Sequence, residues 1–148
     1  MNAKLIQFFQ SEVSKAFAFV TITHNFVGPY LEVDEHIAFA TVIFKGRNLA
    51  IQLILDERDE NITCKIARVF DGNVTKHYAR DESGNIVRDS LFSIIIRKGI
   101  RGKLFTQKTQ KLSLEEQIPV MLEDFARMLK EHGAEILDDS PMALSVKK

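Results

Sequence analysis

The sequence predicts an α+β domain with an N-terminal helix, an antiparallel meander of about four strands, and C-terminal helices packed on one sheet face. Apolar residues recur at three- and four-residue steps near both ends of the chain, which is typical of amphipathic helices. Residues 36–70 instead alternate with a period of two, which is typical of strands. The 148 residues fit a single domain, because domains cluster at roughly 100–150 residues.

The first element is predicted as a helix because one stripe of its surface is apolar. That stripe consists of Leu5, Phe8, Phe9, Val13, Ala16 and Phe17. The next residues, Phe19–His24, are rich in β-branched and aromatic types, so the sequence predicts a short strand there. Gly28 and Pro29 then end this strand.

The middle of the chain predicts the sheet. Two strands, His36–Phe44 and Leu49–Asp56, flank a short polar connection and form a hairpin, and ITCKIARVF supplies a third strand. We expect one face to form the core. The other face should be partly covered, because it carries three residues that are not polar, Ala38, Ala40 and Val42. VTKHYA, after a turn at Asp71-Gly72-Asn73, is a candidate fourth strand.

Residues 89–98 can be interpreted as a helix or a strand. Three consecutive isoleucines suggest a strand, but Asp89 or Ser90 can cap a helix and Gly99 can end it, so we favour a helix. The last helix is better marked, because Ser113 and Glu116 form a capping box and Gly133 can end it. Its apolar stripe is Ile118, Met121, Leu122, Phe125, Met128 and Leu129.

Two features modify this C-terminal region. Pro119 falls inside the last helix and lacks an amide donor, so we expect a kink or a restart there. The tail, residues 138–148, is predicted to be loose at its tip.

Charge and cysteine content exclude several classes of protein. Formal net charge is zero, so overall charge does not attract nucleic acid, membranes or acidic substrates. One cysteine excludes an internal disulfide and a multi-cysteine zinc site. The first residues lack the pattern of a signal peptide, and no apolar run is long enough to span a membrane. We therefore expect a cytoplasmic protein without a membrane contact.

Acidic side chains crowd the connection between the second and third strands, LILDERDENITCKI. The charged residues of this hairpin tip are Asp56, Glu57, Arg58, Asp59 and Glu60. A calcium loop is excluded, because the third position holds arginine and the sixth holds Asn61 instead of glycine. The simplest interpretation is a solvated tip that keeps the turn soluble and blocks strand extension. The functional alternative is a contact surface for a basic protein partner.

The remaining candidate groups also have plain structural interpretations. Cys64 lies on the apolar face of its strand, so we expect a buried thiol and not a nucleophile. The four histidines lack the paired spacing of metal ligands. His36 follows two acids, and His77 and Tyr78 lie near Asp81, but exposed loop residues explain both clusters. No metal or other cofactor is predicted.

A basic segment precedes an acidic one near the C-terminus. The basic residues of the first are Arg97, Lys98, Arg101, Lys103, Lys108 and Lys111, and residues 115–139 are mainly acidic. We expect the two segments to pair. As an alternative, Arg97, Lys98, Arg101 and Lys103 form an anion-binding surface for nucleic acid or a nucleotide. However, the spacing of a phosphate-binding loop is absent.

The run from Phe39 to Ala67 resembles a group of small, mostly uncharacterised bacterial α+β proteins. Those proteins also have a first helix, a strand–turn–strand pair, a charged tip with Asp and Arg, a third strand and C-terminal helices. Some proteins of this size and layout are immunity partners of secreted toxins. The resemblance implies an architecture and an interaction role, and it assigns no catalytic residue.

Motifs of hydrolases, zinc peptidases and dinucleotide-binding enzymes are absent. The sequence therefore favours a non-catalytic interaction protein that binds a protein partner through the acidic hairpin tip, and the resemblance implies an immunity-like role. A nucleic-acid or nucleotide-binding module that uses residues 97–111 is the alternative. An edge strand could also pair across a homodimer.

Overall fold

The computed structural model describes residues 1–106, 109 and 111–145. The helices are α1 (Ala3–Ala16), α2 (Ala18–Ile22), α3 (Leu91–Arg97), α4 (Leu114–His132) and α5 (Ala134–Leu137), and a 3-10 turn covers Pro141–Leu144. The strands are β1 (Val27–Asp34), β2 (Phe39–Lys45), β3 (Leu49–Asp56), β4 (Asn61–Phe70), β5 (Asn73–Val74) and β6 (Arg88–Ser90). The α+β prediction is confirmed, with a strand count a little above four.

All strand pairs are antiparallel, and β1, β2, β3 and β4 lie side by side in chain order. Both β5 and β6 pair with β4 at the far side of the sheet. Helices α1 and α4 pack against each other and contact the strands on one face, where the main core lies. The opposite face has no helix over it among the described residues, so it defines the open side of the molecule.

The helix predictions at both ends are confirmed. In α1, Phe9 and Val13 are buried, and the Asn2 side chain caps the first turn. In α4, the capping box of Ser113 and Glu116 is present. The Ser113 amide donates to Oε1 of Glu116, and this hydrogen bond is the main cause that lowers the pKa of the Glu116 carboxyl. The helix continues through Pro119 without a restart.

The predicted strand at Phe19–His24 is wrong, because Ala18–Ile22 form α2. Phe17 and Val20 are both fully buried, and a spacing of three residues puts two side chains on one face of a helix turn, whereas a strand would send them to opposite faces. Packing therefore overrides the β-propensity of this segment.

Strand β1, Val27–Asp34, is not predicted by the sequence. Its register with β2 shifts between Val27 and Tyr30, where Gly28 and Pro29 interrupt the ladder. A proline is tolerated there because β1 is an edge strand, whose outer amides need no partner. The polar residues that alternate along β1 then face solvent.

The expected orientation of β2 is also wrong. Ala40 and Val42 face the helices, since they pair with the core residues Leu55 and Leu53. Both faces of β2 are largely apolar, so alternation alone does not fix which side is buried. The strand begins at Phe39 and not at His36.

Two smaller predictions have clear outcomes, and a third is not tested. The helix over residues 89–98 is confirmed as α3, with Ser90 as its N-cap. The fourth strand is reduced to Asn73–Val74. In the tail, Ala143 and Leu144 are buried. The tip, residues 146–148, lies outside the described residues, so its predicted looseness stays a prediction.

Candidate functional site

The sheet face opposite the helices, called the open face below, is built from rows of side chains. Partner residues in antiparallel strands point to the same side. One row runs from Glu32 of β1 through Thr41 and Ile54 to Thr63 of β4. A second row aligns Ile43, Gln52, Lys65 and Ser90. Side chains of this face line a concave space of about 1060 Å³.

The two ends of the open face differ in charge. Asp34 and Asp56 lie at one end, where both neighbour Phe39 across the ladder. Lys65 and Arg88 lie at the other end, because β6 pairs with β4 and brings Arg88 opposite Ala67. Asp56 lies four residues along β3 from Gln52, which pairs with Lys65, so these two positions are roughly 13 Å apart.

At the cationic end, Arg88 is held by a buried glutamine. Nε of Arg88 donates to Oε1 of Gln52 at 2.9 Å, and Gln52 is 2 % exposed. Burial lowers the pKa of Arg88. The pKa of Lys65 is also lowered, first by burial and then by the positive charge of Arg88, while Asp89 acts in the opposite direction.

An ion pair crosses the middle of the open face. Nζ of Lys76, which follows β5, lies 2.9 Å from Oε1 of Glu32 on β1. These residues come from opposite sides of the sheet, and both line the concave space. Glu32 belongs to the row that contains Ile54. Ile54 is 3 % exposed, although none of the described helices packs on this face.

His36, His77 and Asp56 line the same concave space. Asp56 is buried, which corrects the expectation that the whole tip is solvated. Its Oδ1 accepts the Asp59 amide at 2.9 Å. No hydrogen bond to either imidazole is seen in the described residues. Within those residues, no group of three His, Cys, Asp or Glu side chains could hold a metal ion.

The rest of the hairpin tip is tied to its neighbours. Oε2 of Glu57 accepts the Asn2 amide at 3.2 Å, and Nη2 of Arg58 donates to the His36 carbonyl at 2.9 Å. Nε2 of Gln117 in α4 donates to the Glu60 carbonyl at 3.0 Å. The tip is thus held by the first helix, the β1–β2 turn and α4.

These contacts join two turns into one surface, called the acidic edge, with carboxylates at Asp34, Glu35, Glu57, Asp59 and Glu60. The Glu57 amide also donates to the Ala38 carbonyl at 3.0 Å, so the turns are bonded twice. Glu35 pairs with the amino group of Met1, which raises the pKa of that group. In the described structure, the carboxylates of Asp59 and Glu60 have no hydrogen bond or ion pair and are exposed.

The basic segment is partly neutralised. Arg97 pairs with Asp89, and Nζ of Lys98 lies 3.6 Å from Oε2 of Glu135 in α5. The contact between Lys98 and Glu135 joins the basic segment to the acidic segment, as the sequence predicted for this pair of segments. Arg101 and Lys103 remain exposed, and Lys108 lies outside the described residues. The four residues therefore do not present four free cations.

Two other candidate groups have clear positions. Cys64 is buried as expected, 1 % exposed, and burial raises the pKa of its thiol. His77 and Tyr78 line a second hollow of about 750 Å³ together with Asp81. The Asp81 carboxylate is used locally, since it accepts the Asn85 amide at 2.9 Å.

No protein-family model matches the chain, and neither a curated protein nor a solved structure matches it. The resemblance to immunity-like proteins therefore stays a prediction. None of the described helices is both long and apolar enough to cross a lipid bilayer.

Sequence reasoning did not predict the cationic end of the open face. Gln52 and Arg88 are 36 residues apart in the chain, and β6, which joins them, has only three residues. The one available signal was Gln52 itself, a polar residue within the most apolar strand.

Proposed function

We propose that this protein is a non-catalytic interaction protein that binds a basic protein partner at the acidic edge. The observation that carries the proposal is the hydrogen bond from Arg58 to the His36 carbonyl, which fixes the hairpin tip against the neighbouring turn. A surface that is held in place before binding loses less conformational entropy when the complex forms.

Charge supports a basic partner. Asp59 and Glu60 are exposed and lack intramolecular partners in the described residues, so their carboxylates can meet Lys or Arg side chains. Complementary charge raises association rates and selects among partners. An immunity role, which the sequence resemblance implies, would make that partner a toxin whose activity is lost in the complex.

The test compares affinity-tagged wild-type protein with the double variant Asp59→Lys/Glu60→Lys in extracts of the source organism, followed by calorimetry with the purified partner. The control is Glu82→Lys/Glu123→Lys, which makes the same charge change at exposed sites away from the edge. We expect a basic partner of fixed stoichiometry, at least roughly tenfold weaker binding by the edge variant, and unchanged binding by the control. Equal affinities for all three proteins would contradict the proposal.

The alternative, a nucleic-acid or nucleotide-binding module, has less support because Arg97 and Lys98 have intramolecular partners. It predicts binding that weakens steeply with salt and with Arg101→Ala/Lys103→Ala. Absence of binding at low salt would remove this alternative.

A further inference from the structure

The open face has a cluster of donor groups that lack acceptors among the described residues. This cluster lies at the end of the concave space opposite Asp34, which belongs to the acidic edge. Arg88 uses Nε to bind Gln52, so its two terminal nitrogens remain available. In the described structure these nitrogens, Nζ of Lys65 and Nε2 of Gln52 have no hydrogen-bond acceptor. A guanidinium held at Nε presents its remaining N–H groups in a fixed plane, a geometry that suits carboxylate or phosphate oxygens.

Within the described residues, the charges of this cluster are balanced only in part, through the nearby Asp89. The closest carboxylate in sequence, Asp89, forms an ion pair with Arg97. Glu32 is paired with Lys76, and Asp56 accepts an amide at the far end of the face. Two half-buried cations therefore lie side by side, and the pKa of each is lowered. Buried charges without a counterion are costly, so a bound anion would relieve a cost that the fold retains.

The space beside the cations suits the body of a small molecule. Its volume of about 1060 Å³ is slightly above the range of roughly 300–1000 Å³ found for ligand sites, so a small molecule fits with room for water. The apolar side chains of Ile37, Phe39 and Ile54 line it, and Thr41 and Thr63 add hydroxyl groups. Because the face is concave, a small ligand fits it better than the flat surface of another domain.

We propose that the open face binds a small organic anion, with its carboxylate or phosphate group on Arg88, Lys65 and Gln52 and its apolar part over Ile54 and Phe39. The occupant is a small molecule and not a macromolecule. Carboxylates and phosphate monoesters share the anionic oxygens that this site recognises, and the two arms of the test distinguish them.

The test records amide chemical shifts during titration with phenyl phosphate in one arm and sodium benzoate in the other. Benzyl alcohol serves as the uncharged probe. We expect one or both anions to shift the amides of Gln52, Lys65 and Arg88, and binding to weaken as salt is added. The arm with the tighter binding identifies the anionic group, and benzyl alcohol causes no comparable shift.

Variants locate the site. We expect Arg88→Gln and Lys65→Gln each to weaken binding at least roughly tenfold, since each removes a charge-assisted hydrogen bond. Arg101→Gln, which removes an exposed cation elsewhere, should leave binding unchanged. Thermal unfolding checks that each variant is folded. Lys65→Gln keeps the test decisive if Arg88→Gln is unstable, because the Lys65 side chain has no hydrogen-bond or ion-pair partner among the described residues.

Three results would overturn the proposal. They are the absence of shifts with both anions at millimolar concentration, equal affinity of wild type and Lys65→Gln, and shifts confined to residues 97–103. Asp59→Lys/Glu60→Lys should bind the anion normally, so failure at the acidic edge and failure at this site are distinguishable.

Discussion

The carboxylate of Asp139 lies directly against Gly46, so close that a methyl group on Gly46 would lie 2.6 Å from Oδ1. The same carboxylate accepts backbone amides of the β2–β3 turn, from Asn48 at 3.1 Å and Leu49 at 2.8 Å, and from Arg47 as well. The turn of the central hairpin is therefore closed by a residue of the C-terminal segment.

We predict that Asp139→Ala lowers the free energy of unfolding by about 2–4 kcal/mol, because it leaves amides of the turn without their charged acceptor. Urea unfolding measures the change, and Asp138→Ala, at an exposed neighbour, is the control.

Gly46→Ala should also lower the free energy of unfolding, by about 1–3 kcal/mol, because the added methyl group crowds the Asp139 carboxylate. Gly46→Ala should lower the free energy of unfolding by less when Asp139 is already alanine, because the carboxylate that the methyl group would crowd is then absent. Strictly additive effects would contradict the contact.

Cys64 should be inert in the folded protein. Its thiol is 1 % exposed, and burial raises its pKa, so both access and the reactive thiolate are lacking. We expect no reaction with an aromatic disulfide reagent under native conditions and one reacting thiol per chain in denaturant. Rapid reaction of the native protein would show that β4 is not packed as described.

Lys65 gives the stability a specific pH dependence. Its pKa is lowered in the folded protein from the ordinary value of 10.5, so the unfolded chain holds this proton more tightly. As the pH rises through the folded pKa towards 10.5, the folded state loses the unfavourable charge and wild type gains stability. We expect the wild type to gain stability relative to Lys65→Gln across this window in urea unfolding. A constant difference would show that Lys65 is not perturbed.

The sequence predicts those elements whose periodicity is unambiguous. Helices α1 and α4 have apolar stripes and good caps, and β3 begins and ends where alternation and the turn residues predict. Predictions fail where local preference and packing disagree. Residues 18–22 include β-branched types but form a helix, which buries Phe17 and Val20. Strand β2 is apolar on both faces, so its pairing with β3 determines which side is buried.

The two candidate sites also differ in how far the sequence predicts them. The hairpin tip can be read from the sequence because its charges are consecutive in the chain. Its union with Asp34 and Glu35 cannot, because the bonds that join the two turns link residues far apart in the chain. The burial of Asp56 is not predicted either. The cationic end of the open face depends on the pairing of β6 with β4, which brings distant residues together. No pattern within either segment alone indicates that Gln52 meets Arg88.

The central claim is that the acidic edge is the partner-binding surface, and amide hydrogen exchange of the purified complex tests it most directly. We predict that binding of the partner slows exchange in residues 34–38 and 57–60, while the exposed sides of α1 and α4 exchange as in the free protein. Protection confined to α1 and α4, with residues 57–60 unchanged, would contradict the claim.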